Sequence, residues 1–410
     1  MRIGIFTDTY PPYINGVSTS IAMLEKGLRD KGHEVFIVTV NPDNMGYKYE
    51  ENDHIIRIPG IPIGIYDYRL SGIYPIRAVN KIKKWNLDII HSHTEFGVGT
   101  FARIIAKQYD IPLVHTYHTM YEDYVYYVTK GYFDKSSKKI VEYLTKFYCD
   151  KTAKELIVPS KKTYDLFTQK YKVEKTIHLV PTGIDTARFY KEKFKASETN
   201  SLKQELGIAK EDFVILYVGR LAHEKSVDFL IKNQVDLVKK HPNCKLVIVG
   251  SGPDYENFIE LSKSLKMENH IIFTNAIPYD DVPSYYQIAN VFATASTTET
   301  QGLTVVEAMA ASKPVVCIND ESFNCVVVDG LNGHLFENKK DYLGCVIDLM
   351  EHPGKCMKMA EQARISAEKY SLKYYAEQVL DVYKAALSGV KKEPGLFDKL
   401  IHAVKKGDDE

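Results

Sequence analysis

Several features that would indicate a membrane-spanning, secreted or metal-binding protein are missing from this sequence. No segment approaches the roughly 18 uninterrupted apolar residues that a membrane-spanning helix requires. The chain opens with a strand-like run, Met1 to Phe6, in place of the basic start, apolar stretch and small-residue cleavage site of a secretory signal. The six cysteines have neither the paired spacing of metal ligands nor the density of a disulfide scaffold. The sequence therefore predicts a cytoplasmic protein with reduced cysteines.

The length and the apolar pattern of the chain predict two α/β domains. A chain of 410 residues exceeds the size at which one core stops growing, which is about 250 to 300 residues. Short apolar runs rich in β-branched residues alternate with stretches of helical period, as is typical of parallel sheets covered by helices on both faces. The predicted strands are 3–6, 35–39, 55–58, 88–91, 113–117, 156–159 and 178–180 in the first half and 214–218, 246–249, 271–273, 291–294, 315–317 and 334–336 in the second.

These patterns also suggest where the domains begin and end. We predict a first doubly wound, Rossmann-like domain over residues 1–195 and a second over 201–368, joined by a polar linker within 191–200. A helix over 369–388 is expected to cross back to the first domain, and a basic amphipathic tail follows over 389–410. Ligands bind at the carboxyl ends of the strands in such sheets, so the two domains are expected to share one cleft.

The net charge of zero hides an asymmetry between the two halves. Up to Lys195 the chain has seven more basic than acidic residues, and after Lys195 it has seven more acidic than basic residues. A basic half favours an anionic partner, with nucleic acid and an anionic lipid surface as the leading candidates, although solvated surfaces alone can give such a balance. No recognisable nucleic-acid-binding module is present, so we exclude nucleic acid as a partner.

Three loops after predicted strands carry candidate binding residues. Asn15 and Gly16 begin a helix whose free amides suit a phosphate, although an ordinary strand-to-helix turn explains them equally well. Arg220 and Lys225 follow the first strand of the second domain and can neutralise a diphosphate, whereas an isolated surface pair of this kind is usually only solvated.

The third loop, Glu299 to Ala311, is the most informative. Gly302 and Leu303 would begin a helix whose free amides face phosphates, and Glu307 lies about one turn further on, where a carboxylate can accept hydrogen bonds from ribose hydroxyls. Glu299 would then approach the sugar. The alternative is that Glu299 and Glu307 are an exposed loop acid and a helix-surface acid.

Together these motifs resemble the retaining GT-B glycosyltransferases of family 4, over nearly the whole chain from Met1 to about Leu387. The resemblance rests on Glu299-x7-Glu307, on Gly219-Arg220-x4-Lys225 and on the early Asn15-Gly16-Val17 loop. It implies two Rossmann-like domains facing a central cleft. The residue roles that it implies are His118 and Glu299 at the reacting sugar, and Gly16, Arg220, Lys225, Gln301, Gly302, Leu303 and Glu307 in binding of the donor.

Two runs, Pro112 to Val125 and Glu299 to Leu303, are similar to those of bacterial enzymes that glucosylate the 3-hydroxyl of 1,2-diacylglycerol. This resemblance implies UDP-glucose as donor, diacylglycerol as acceptor and a peripheral position on the inner face of the cell membrane. UDP-galactose and GDP-mannose remain open as donors, and phospholipid or soluble compounds as acceptors. A nucleotide-sugar epimerase shares this architecture, whereas a non-catalytic sensor would be expected to lack residues of the set.

A lysine-rich segment supports contact with an anionic membrane. Residues 130–154 contain seven lysines and three acids, directly after a tyrosine-rich stretch, and such a mixture suits a lipid–water interface. We take Lys135, Lys138, Lys139 and Lys146 as the membrane-contact candidates. A second basic cluster over residues 77–84 is followed by the only tryptophan, Trp85. Each patch alone is better explained as a solvated or core-packing face, whereas the patches together favour contact with a membrane.

The sequence predicts no cofactor and no metal at the diphosphate. There is no Asp-x-Asp pair and no histidine and carboxylate cluster with metal-ligand spacing, so Arg220, Lys225 and helix amino termini are expected to neutralise the charge. Retention of configuration allows either a covalent intermediate, for which Glu299 is the candidate nucleophile, or attack from the face that the leaving group departs. We favour the second route. The oligomeric state is left open.

Overall fold

A computed structural model describes residues 1–13, 15–62, 69–95, 97–118, 145–146, 148–149, 152–299 and 301–388. Within these residues each half of the chain forms one large, mostly parallel β-sheet. The strands of the first half are β1 (Arg2–Phe6), β2 (Glu34–Val40), β3 (Lys48–Glu50), β4 (Ile55–Ile58), β5 (Gly60–Pro62), β6 (Arg69–Ser71), β7 (Ile89–Ser92), β8 (Leu113–Thr116), β9 (Glu155–Val158) and β10 (Ile177–Leu179). Its helices are α1 (Gly16–Asp30), α2 (Ile76–Lys84), α3 (Gly97–Tyr109) and α4 (Lys161–Asp165), with a π-helix over Leu166–Lys170.

The first sheet has the order β10-β9-β8-β7-β1-β2-β4-β3. All of its pairings are parallel except that of the short edge strand β3 with β4. Ile3 and Ile5 alternate with Phe6 along β1, so the two sets of side chains pack against opposite layers of helices. One layer contains α1 and the other contains α2 and α3. Strands β5 and β6 form a separate antiparallel hairpin.

The second half repeats the plan with six strands in the order β13-β12-β11-β14-β15-β16, all parallel. The strands are β11 (Phe213–Val218), β12 (Cys244–Val249), β13 (Ile271–Phe273), β14 (Val291–Thr294), β15 (Val315–Ile318) and β16 (Gly333–Phe336). The helices are α5 (Ala196–Glu205), α6 (Val227–Lys240), α7 (Tyr255–Ser264), α8 (Val282–Ile288), α9 (Leu303–Ala310), α10 (Lys339–Glu351), α11 (Pro353–Ala367) and α12 (Leu372–Ser388), with 3₁₀ turns over Thr186–Phe189, Lys191–Lys193, His223–Lys225 and Glu368–Tyr370. This strand order is that of the dinucleotide-binding Rossmann fold.

Two segments outside the sheets connect the two halves of the chain. The polar stretch over 191–200, predicted as a linker, contains a 3₁₀ turn and the first half of α5. The first turn of α5 is capped by the Glu198 side chain, which accepts from the Lys195 amide. Helix α12 packs on the first sheet, because Tyr375, Ala376 and Val379 are buried against α1 and β1. Its apolar face therefore completes the core of the first half.

Within the described residues, no helix combines the length and the apolar character needed to cross a lipid bilayer.

Candidate active site

The second sheet brings two of the predicted motifs together at its topological switch point. Strand β11 lies between β12 and β14. The chain adds β12 and β13 on one side of β11, and then β14, β15 and β16 on the other side. In open α/β sheets a ligand binds in the crevice beyond the carboxyl ends of two such strands. The loop after β11 carries Arg220 and Lys225, and the loop after β14 carries Glu299. The order of the strands thus makes neighbours of residues that are more than seventy positions apart.

Both cations of this crevice are paired with acids. The Arg220 guanidinium forms an ion pair with Glu224, and Nζ of Lys225 lies 2.5 Å from Oε1 of Glu299. The Lys225 and Glu299 side chains are 20% and 27% exposed, so their pair is accessible from solvent. A diphosphate that enters the crevice therefore has to displace the Glu224 and Glu299 carboxylates before it can bind the Arg220 and Lys225 side chains.

Gly302 has a backbone conformation that only glycine adopts without strain. Its φ is 72°, and a Cβ atom there would lie 2.4 Å from Cε1 of Phe323. Gly302 is the N-cap of α9, which begins at Leu303 and leaves its first amides without partners inside the helix. Leu303 packs against the core below. This geometry suits binding of an anion at the start of α9.

Glu307 lies in the second turn of α9 and is 6% exposed. The Tyr286 hydroxyl donates to its Oε2 over 2.8 Å. Burial raises the pKa of Glu307 to about 7, and the hydrogen bond from Tyr286 and the charge of Arg188 offset only part of that rise. A buried carboxyl group that ionises near neutral pH is typical of a functional position.

Gln301, predicted as a donor-binding residue, has its side-chain amide bound to the first half of the chain. Oε1 accepts from the Thr182 amide over 2.6 Å, and Nε2 donates to the Thr182 carbonyl over 2.9 Å. Gln301 is 2% exposed. The Thr182 hydroxyl lies 3.2 Å from Ser20 on α1. Any contact of Gln301 with a donor would therefore come from its backbone.

The Asn15–Gly16 loop begins α1 beyond the carboxyl end of β1. The Asn15 carboxamide caps the helix by accepting from the Ser18 amide over 2.9 Å, and its nitrogen donates to Thr9 over 2.9 Å. No atom lies within 4 Å of the position that a Cβ atom would occupy on Gly16. The amides at the start of α1 are therefore approachable, as close contact with a phosphate requires.

His118 follows β8 and is half-buried. Its Nε2 lies 2.8 Å from Nδ1 of His93, and the two rings stack at 5.1 Å. Burial lowers the pKa of His118 to about 4, since the raising effect of Glu95 is too small to offset it. His118 is thus a neutral imidazole at neutral pH, able to donate or accept a hydrogen bond but not to supply a positive charge.

His91 and His93 were not among the predicted site residues, but they lie next to His118 in the structure. Their position at the carboxyl end of β7 could have indicated them, because β7 pairs with β8, with Ser92 opposite His115. The rings of His91 and His93 are in contact, with their centroids 4.0 Å apart and their planes tilted by 38°. Adjacent parallel strands end at the same edge of the sheet, so these histidines converge near His118.

Glu95, His115 and Cys149 form a buried group of potential metal ligands that has no counterpart in the spacing of residues along the sequence. Their ligand atoms lie within 4.8 Å of one another, although they come from three separate segments, so spacing along the sequence could not reveal them. His115 is hydrogen-bonded at both nitrogens, to the Ser92 carbonyl over 2.9 Å and to Glu95 over 3.0 Å. These bonds account for the cluster as a polar core contact.

The four lysines predicted to contact a membrane fall mostly outside the described residues. This holds for Lys135, Lys138 and Lys139, and for the tail over 389–410. Lys146 is described and half-buried. Trp85, which follows the second basic cluster, is 5% exposed and stacks on Phe36 at 4.8 Å, so it belongs to the core.

Comparison with known proteins agrees with this arrangement. Residues 14–188 match the family described as Glycosyltransferase Family 4, and residues 198–366 match the one described as Glycosyl transferases group 1. The alpha-monoglucosyldiacylglycerol synthase of Acholeplasma laidlawii is 38% identical over 389 residues, covering 93% of this chain and 96% of that protein. The chain belongs to glycosyltransferase family 4.

Two further likenesses support the assignment of this glycosyltransferase. An alpha-monoglucosyldiacylglycerol synthase of Streptococcus pneumoniae is 36% identical over 354 residues, covering 85% of this chain and 78% of that protein. The crystal structure of Anabaena Alr3699/HepE in complex with UDP has a TM-score of 0.71 at 18% identity, covering 94% of this chain and 100% of that one. At that identity the likeness shows the fold alone, which is GT-B, as the motifs predicted.

Proposed function

We propose that this glycosyltransferase transfers glucose from UDP-glucose to the 3-hydroxyl of 1,2-diacylglycerol, with retention of configuration and without a metal ion at the diphosphate. The observation that carries the proposal is the identity of 38% and 36% to two alpha-monoglucosyldiacylglycerol synthases over most of the chain. The sequence retains Arg220, Lys225, Glu299 and Glu307 of the motifs, which supports a working enzyme over a non-catalytic sensor.

In this proposal the second half of the chain holds the donor. Glu307 accepts hydrogen bonds from the ribose, the amides at the start of α9 and the side chains of Arg220 and Lys225 bind the diphosphate, and Glu299 contacts the hexose. Charge-assisted hydrogen bonds of this kind suit a leaving group whose negative charge grows in the transition state. His118, across the cleft, lies beside the hexose.

Transfer then needs no protein nucleophile. The bond from the sugar C1 to the phosphate oxygen breaks, the acceptor oxygen bonds to C1 from the same face, and the departing phosphate oxygen takes the acceptor proton. The transition state resembles an oxocarbenium ion, so positioning and charge stabilisation supply most of the rate. A covalent intermediate on Glu299 is the competing route, in which that carboxylate would first have to leave its ion pair with Lys225.

A surface of the first half suits the membrane that a lipid acceptor requires. Ile61 and Leu70 are cross-strand partners on the β5–β6 hairpin and are 58% and 50% exposed. Ile73, in the segment before α2, and Ile76, the first residue of α2, are 59% and 68% exposed. We call these four side chains the apolar edge. Basic residues 77, 81, 83 and 84 of α2 follow it directly, and apolar side chains beside cations favour an anionic lipid surface.

The test is incubation of the purified enzyme with a panel of radiolabelled nucleotide sugars and diacylglycerol in anionic micelles. We expect an α-glucosyl lipid from UDP-glucose, identified by chromatography and by the configuration of its anomeric carbon. A phospholipid or soluble product in parallel reactions would replace diacylglycerol as the acceptor. An epimerase would instead give UDP and an altered hexose without any acceptor. Formation of β-glucoside would refute retention.

A further inference from the structure

The histidines at the carboxyl ends of β7 and β8 form a continuous column that ends at His118. The His91 ring packs against the His93 ring at a tilt of 38°, and Nδ1 of His93 lies 2.8 Å from Nε2 of His118. His91 is held at both nitrogens, by the Tyr383 hydroxyl and by the Thr116 hydroxyl, each over 2.7 Å. Since Tyr383 lies on α12, that helix helps fix the ring on which His93 packs.

The bond between His93 and His118 allows two positions for one proton. Burial lowers the pKa of His93 well below its usual range and that of His118 to about 4, so both rings are neutral at neutral pH. A neutral imidazole carries one N–H and one bare nitrogen. Either His93 donates from Nδ1 to the bare Nε2 of His118, or His118 donates from Nε2 to the bare Nδ1 of His93.

The surroundings of Nε2 of His93 show which of the two imidazoles donates the hydrogen bond. Nε2 of His93 is buried and has no hydrogen-bond partner among the residues that the structure describes, and His93 is 2% exposed. If His118 were the donor, His93 would carry its proton on this Nε2 and bury an N–H group without an acceptor. Buried N–H groups without partners are rarer than under-satisfied acceptors, because the lost hydrogen bond to water is not replaced.

We propose that His93 is a positioning residue for His118: its Nδ1–H donates to Nε2 of His118 and so places the single proton of His118 on Nδ1. Within the described residues, Nδ1 of His118 has no hydrogen-bond partner, so this N–H is available to a ligand. The role of that ligand rests on the proposed function, in which His118 lies beside the donor hexose. His118 then donates a neutral hydrogen bond to a hexose oxygen.

Two variants of His93 that have nearly the same shape as each other distinguish a hydrogen-bond donor to His118 from a residue that only packs against it. The asparagine of His93→Asn can still donate to Nε2 of His118, whereas the ionised aspartate of His93→Asp can only accept. His93→Asp should therefore move the proton of His118 from Nδ1 to Nε2, and His93→Asn should leave it on Nδ1. A purely structural His93 would respond alike to both changes. The control is His352→Asn, because His352 lies in the second half of the chain and its side chain is 61% exposed.

The first measurement is the tautomer, by nitrogen NMR of histidine-labelled enzyme, with the His118 signals assigned through a His118→Gln sample. We expect a pyrrole-type Nδ1 and a pyridine-type Nε2 in the parent enzyme and the reverse in His93→Asp. Thermal unfolding of each variant checks that it is folded. This readout needs no substrate, so it stands whether or not the enzyme glucosylates diacylglycerol.

The second measurement is steady-state kinetics with UDP-glucose. Loss of one hydrogen bond from His118 in the transition state should lower kcat of His93→Asp by about tenfold or more, while His93→Asn stays within about threefold of the parent. The affinity for UDP should not change in either variant. A proton on Nε2 of His118 in the parent enzyme would overturn the assignment. So would equal kcat losses in both variants with an unchanged tautomer, or a moved proton with kcat unchanged.

Discussion

Replacing Glu307 by glutamine should stabilise the unliganded protein and weaken its binding of UDP. The carboxyl group is 6% exposed and its pKa is raised to about 7 by burial, from an ordinary value of 4.5. Glutamine has nearly the same shape, can still accept from the Tyr286 hydroxyl and carries no charge to desolvate. The change therefore removes the cost of an ionised buried acid and little else.

The size and pH range of the stabilisation follow from linkage. Between pH 4.5 and about 7 the folded protein retains a proton on Glu307 that the unfolded chain has lost, so this group lowers stability as the pH rises through that range. Above pH 7 the full penalty applies, about 3 kcal/mol for a shift of this size. For a domain of this length, that corresponds to roughly 6–12 °C in Tm. Glu307→Gln should thus exceed the parent Tm by such an amount at pH 8 and by much less at pH 5.

The binding assay tests the same carboxylate from the ligand side. In the proposed complex the ionised form accepts charge-assisted hydrogen bonds from the ribose hydroxyls and the protonated form does not, so parental UDP affinity should fall by about tenfold between pH 8 and pH 6. The phosphate of UDP also titrates near pH 6, and Glu307→Gln, measured over the same range, corrects for that contribution. At pH 8 the variant should bind UDP about tenfold to hundredfold more weakly. A lower Tm for the variant at pH 8, or identical pH profiles for both proteins, would refute the reasoning.

Three further predictions concern other parts of the molecule. Turnover should survive excess EDTA, because in the proposed complex Arg220 and Lys225 neutralise the diphosphate; a collapse restored specifically by Mg²⁺ or Mn²⁺ would contradict this. Ile76→Ser should reduce sedimentation with anionic vesicles, whereas Met357→Ser, equally apolar and 65% exposed on α11, should not. Gln301→Glu should lower Tm, since a carboxylate cannot donate to the Thr182 carbonyl; an unchanged Tm would show that the paired bonds contribute little.

The architecture could be predicted from the sequence because parallel strands buried on both faces leave an unmistakable local pattern. Strand β14 was predicted at the residues that it occupies, Val291–Thr294, from four apolar and β-branched residues between polar loops. The loop motifs around Lys225 and Glu299 were recognisable for a related reason. Each follows a strand directly, and the carboxyl end of a parallel strand is where such folds bind ligands.

What the sequence did not reveal depends on contacts between distant segments. The pairing of Gln301 with Thr182 joins residues 119 positions apart, and neither residue type suggests the other. The link from His93 to His118 requires the pairing of β7 with β8, and that of His91 to Tyr383 requires the return of α12 to the first sheet. Local patterns carry no information on such pairings, since a histidine after a strand is equally compatible with solvent.

The ion pair between Lys225 and Glu299 affects how the proposed donor would be recognised. The pair between Lys225 and Glu299 is partly exposed, so its contribution to stability is about 1 kcal/mol or less. A charge-assisted hydrogen bond from lysine to a phosphate is worth about 1.5–3 kcal/mol, so a diphosphate is able to displace the carboxylate. If the donor binds as proposed, that displacement frees Glu299 to accept hydrogen bonds from the hexose. A nucleoside without a diphosphate would leave Lys225 on Glu299, and binding of the sugar would thereby depend on prior recognition of the diphosphate.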